Sequence, residues 1–68
     1  MINIENLKNE AALIGEAYEK AAYEYFNAEN PHPAVVMKKE KLSKAHDAIL
    51  DAIAYLAAAD SADAIHNR

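Results

Sequence analysis

An all-α fold, an antiparallel two-helix hairpin, is what this sequence predicts, and three observations predict it. Apolar residues recur at alternating steps of three and four along two stretches, the spacing of a helical seam. The segment Asn30-Pro31-His32-Pro33 separates those stretches with turn-forming residues. Alanine supplies much of an apolar content of 53%, beside a single Gly and two Pro, which favours helix over strand.

The first helix is expected over about residues 4–29. Asn3 can cap it, and Glu5 places a negative charge in the first turn, where the helix dipole favours one. Its seam reads Ile4, Leu7, Ala11, Ile14, Tyr18, Ala21, Tyr25 and Ala28. After the break, Asn30 is a natural N-cap, and Pro31 or Pro33 suits a first helical turn. The second helix is expected over about residues 33–60, with the seam Val35, Lys38, Leu42, Ala45, Ile49, Ala52, Leu56 and Ala59. Beyond Asp60 the reading stays open: Ser61 can cap a last short turn, or the helix can fray.

Folding the chain at the turn pairs Tyr25 with Lys38, Ala21 with Leu42, Tyr18 with Ala45 and Ile14 with Ile49. Most layers then oppose a large side chain with a small one. Residues 1–68 form a single domain on this reading, and a chain this short buries a limited core. Leu13, Tyr23, Phe26, Val36, Met37, Leu50, Ile53 and Tyr55 fall off the seam. Covering them calls for a second copy, so a homodimer or higher helical bundle is expected, with Leu13, Phe26, Leu50 or Ile53 at the interface. Gly15 flanks the seam, where another backbone could approach or where a surface glycine is simply tolerated.

Several function classes find no support. There is no cysteine, hence no disulfide, thiolate metal site or cysteine nucleophile. Ser43 and Ser61 lack a strand-turn-helix setting, and one glycine cannot form a phosphate-cradling loop. His32, His46 and His66 are too scattered for a helical metal pair. Neither catalysis, nor a metal, nor a cofactor is expected. The formal charge of −4 argues against nucleic acid as a partner, and charges interrupt every apolar stretch, so no membrane span is expected. The N-terminus "MINIENLKNE" does not have the form of a signal peptide, which places the expectation in the cytoplasm.

The lysines are the feature that composition leaves open. Lys38, Lys39, Lys41 and Lys44 crowd the first third of the second helix. In the hairpin, Glu24 and Glu29 come near enough to pair with them. Lys38, however, takes a seam position opposite Tyr25. Together with Lys39 or Lys41, and with Tyr25 or Tyr18, it can form a ligand-binding pocket for a small anion carrying phosphates and stacking bases.

The stretch "KLSKAHDAILDAIA" (Lys41 to Ala54) resembles the hairpin domain of small phage proteins that sequester cyclic nucleotide immune signals. Lys41, Leu42, Ala45, Ile53 and Ala54 carry the resemblance, and "IGEAYEKAA" (Ile14 to Ala22) is similar to the preceding helix. Ser43 and Lys44 stand where acidic residues are usual. The resemblance implies a compact helical homo-oligomer that binds a cyclic nucleotide between subunits without cutting it, as phage counter-defence. The turn also looks like that of sporulation-related phosphatases, but "KEKLS" (Lys39 to Ser43) lacks the aspartate of their working motif, so that activity is not carried over. The alternative function is a small homo-oligomeric module that binds or inhibits a protein partner.

Overall fold

Asn3 starts the first helix as its spacing predicts. Its side-chain Oδ1 accepts from the Asn6 N–H at 3.1 Å, so one of the unpaired amides of the first turn is satisfied. Helix α1 runs Ile4–Asn27 with Glu5 in its first turn, and helix α2 runs Pro33–His66. The computed structural model describes residues 2–66, and within them α1 and α2 are the only regular elements.

The break comes two residues earlier than expected. Ala28 is already extended, at φ −99° and ψ 138°, and the Asn27 side-chain amide donates to the Tyr23 carbonyl one turn back at 2.8 Å. Two X-Pro bonds follow, and a residue preceding proline disfavours the helical region. Pro33 then takes the first helical position, where its missing N–H costs nothing. The cap of α2 is therefore His32 rather than Asn30. Its Nδ1 accepts from the Ala34 N–H at 3.0 Å, and its carbonyl accepts from Val35 and Val36 at 2.8 and 3.2 Å.

At its far end α2 does not stop near Asp60 but continues to His66. The stretch from Ser61 to Ile65 holds neither Gly nor Pro, and its alanines favour helix, so Ser61 is helical and not a cap. With 24 residues in α1 and 34 in α2, the helices are about 36 and 51 Å long at 1.5 Å per residue. The last turns of α2 thus run past the start of α1, and residues 57–65 are all exposed.

The α1 seam is the predicted one from Ile4 to Tyr25, with Ala11 and Ala21 buried and the rest half-buried. Ala28 lies outside the helix and is exposed. The α2 seam is turned by one position. Lys38 and Ala45 face solvent, and the line of half-buried residues is Val35, Lys39, Leu42, His46, Ile49, Ile53 and Leu56. Ala52 is half-buried beside that line, while Ala59 is exposed. The physical reason is volume: turning α2 brings His46 and Ile53 inward in place of alanines. The His46 ring of the same chain packs beside Gly15, where a built Cβ would stand 3.4 Å from His46 Nε2, an ordinary contact distance. Val36 and Ile53, expected off the seam, are half-buried within the hairpin.

The result is a rod of 59 × 15 × 14 Å with a radius of gyration of 16.5 Å, against about 11 Å for a compact chain of this length. Among the described residues only Ala11 and Ala21, at 5% and 2% exposure, are buried, and no larger side chain joins them.

Candidate functional site

The lysine cluster begins after the first turn of α2. That turn, Pro33 to Val36, carries no charge, and the dipole's influence fades beyond it. The lysines therefore do not oppose the helix dipole. Nor do they pair with acids: among the described residues no ion pair joins them to Glu24 or Glu29. Among the described residues the one salt bridge within 4 Å is Lys8–Glu5 on α1, at 3.9 Å.

The rotation of α2 decides which lysine meets a tyrosine. Lys39, not Lys38, enters the seam, and its Nζ stands 4.8 Å from the centroid of the Tyr25 ring. This is a cation–π contact made by a half-buried lysine. Phe26 meets the same tyrosine in a T-shaped arrangement, with centroids 5.0 Å apart and planes at 85°. Lys38 and Lys41 are exposed and make no such contact. Tyr18 is half-buried on the same seam as Tyr25, two turns away, about 10 Å along the axis. Of the five residues expected to gather, the structure joins Tyr25 and Lys39. Lys38 and Lys41 remain at the same end of the rod, and Tyr18 lies apart.

A shallow, open depression of about 440 Å³ lies elsewhere, lined by Glu16, Glu19, Lys20, Tyr23 and Glu24. All five come from α1 and follow helical spacing along its outer face. One helix cannot enclose a small molecule, so this is a surface groove with three carboxylates rather than a pocket. Among the described residues, no group of three or more metal-binding side chains could hold an ion, and no helix is long and apolar enough to cross a membrane.

The sequence reading missed His46 as a seam residue; Phe26 it placed off the seam as an interface candidate, without its contact to Tyr25. His46 could have been found, because a 39/46/53 line has the same periodicity as 38/45/52 and places the larger ring opposite the only glycine.

Comparison of the chain with protein-family models, curated proteins and solved structures finds no match in any of the three.

Proposed function

We propose that this protein is a non-catalytic helical module that works as a homo-oligomer and binds a protein partner through its assembled surface. The observation that carries this reading is the missing core: among the described residues nothing larger than alanine is buried. The accessible surface is 5503 Å², whereas a compact monomer of this mass exposes about 4,200 Å². An excess of about 1,300 Å² exceeds the roughly 800 Å² that each partner contributes to a standard interface. The acidic outer face of α1, with Glu16, Glu19 and Glu24, suits a basic surface on the partner. Light scattering across the micromolar range tests the assembly. At least twice the 7.5 kDa chain mass is expected, and a 7.5 kDa species that unfolds cooperatively would overturn the reading.

A second reading is favoured by the Tyr25–Lys39 contact, with Lys38 and Lys41 exposed at the same end. In it, the assembled hairpins sequester a cyclic nucleotide between subunits, as the resemblance to phage counter-defence proteins implies. An aromatic face beside ammonium groups is chemistry that a base and its phosphates would recognise. Thermal melts with a panel of cyclic di- and trinucleotides separate the two readings. A true ligand at a thousandfold its dissociation constant adds about 4 kcal/mol. No shift across the panel would leave the interaction module alone.

A further inference from the structure

The two flanks of the seam differ in one respect that decides how a second copy would dock. In an antiparallel pair, positions just after Ile14, Ala21, Val35, Leu42 and Ile49 line up on one side. Positions just before Ala11, Tyr18, Tyr25, Lys39, His46 and Ile53 line up on the other. The first flank is Gly15, Ala22, Val36, Ser43 and Leu50, continuing to Ala57, with Lys8 closing its far end. The second is Glu10, Ala17, Glu24, Lys38 and Ala45, then Ala52. One flank is thus uncharged over most of its length, and the other carries three charges within the same span.

Resting on the self-association reading above, we infer that a second copy of this chain docks on the uncharged flank, the one carrying Gly15, Ala22, Val36, Ser43 and Leu50. Covering the other flank would strip water from Glu10, Glu24 and Lys38, and desolvating a charge costs several times what a buried methylene returns. The uncharged flank has no such obstacle. Leu50 stands on it 46% exposed, and Phe26, one position outward at its tip end, is 74% exposed. Between these two anchors lie Gly15, Ala22 and Ser43, so large side chains of one copy meet small ones of the other. Such a surface suits an interface in which the same patch serves both subunits. Glu19 and Asp47 follow outward as a charged rim, the usual surround of an interface core. The occupant is a second copy because the surface excess belongs to every chain and its size is what a dimer needs.

The test compares the full chain with Phe26→Glu, Leu50→Glu and Ala45→Glu by light scattering, with circular dichroism reporting helix content. Phe26→Glu and Leu50→Glu are expected to reduce the mass to the 7.5 kDa of one chain, while Ala45→Glu, on the charged flank, leaves the wild-type mass. If Leu50→Glu loses its helical signal, Phe26→Ser decides instead, because that ring is 74% exposed within the hairpin and its loss removes little buried area. Dissociation by Ala45→Glu alone, or by variants on both flanks, overturns the choice of flank and leaves self-association standing. An oligomer that none of the variants dissociates overturns it too. A wild-type chain that is monomeric throughout overturns self-association itself, and with it this inference.

Discussion

Exchanging the two members of one seam layer tests the register directly. Ala21 is the most buried residue of the hairpin, at 2% exposure. The contacts on either side of it, Gly15 with His46 and Lys39 with Tyr25, bracket its level and place Leu42 opposite. Ala21→Leu adds three carbons where the helices already touch, and overpacking of this kind costs about 1–3 kcal/mol. Leu42→Ala removes a half-buried side chain. Full burial of a leucine is worth about 1.5–3 kcal/mol, and this position is open at its edge, so a loss of about 1–2 is expected. If the two share a layer, the double variant moves the large side chain across the seam and keeps the total volume. It is then expected within about 1 kcal/mol of wild type, with a favourable coupling of about 1–3. The assay is urea unfolding followed by helical circular dichroism. All four proteins are held at one concentration, because self-association would itself contribute to the midpoint. A double variant whose loss equals the sum of the single losses to within about 0.5 kcal/mol would refute the layer and the register with it.

Gly15→Ala is expected to raise stability by about 1 kcal/mol through helix propensity, which lifts Tm by about 4–8 °C. The added Cβ meets His46 at ordinary contact distance, so a lower Tm would show that something other than this imidazole needs the glycine. His32→Ala is expected to lose about 1 kcal/mol with the α2 cap, whereas His32→Asp keeps a cap and adds about 0.3–1 from the helix dipole. Equal melting of the two variants would refute the cap. Lys39→Ala is expected to cost about 0.5–1 kcal/mol with its contact to Tyr25, and Lys38→Ala to stay within about 0.5. A larger loss at Lys38 would return that residue to the seam.

The hairpin was legible because each of its signals has a local cause. Asn3 with Glu5 announces a helix start, two prolines forbid a continuous helix, and the α1 seam admits one solution. The α2 seam does not. Lines through 38, 45 and 52 and through 39, 46 and 53 have the same spacing, so periodicity cannot choose between them. The choice depends on how much volume each line delivers against α1, and the 39/46/53 line brings the larger His46 and Ile53 inward. The candidate site inherited that ambiguity, since a turn of one position exchanges the lysine that meets Tyr25. The end of α2 was hidden for a different reason. Asp60 and Ser61 look like a boundary only where a competing turn exists, and none follows before His66.

The same composition that makes the helices easy to form leaves the hairpin short of a core. Alanine has the best helix propensity and gives up no side-chain entropy, so α1 and α2 order cheaply. It also lets the axes come close, and Ala11 and Ala21 are buried for that reason. A close approach between small side chains encloses little volume, however, and each alanine returns little apolar area. Phe26, Tyr23, Tyr55 and Met37 cannot repair this from within, because two cylinders share one seam and those side chains lie off it. Lengthening α2 does not help either, as its last turns pass the end of α1 and meet nothing. Further burial has to come from a surface outside the hairpin. The docking proposed on the uncharged flank therefore bears on stability and on function at once.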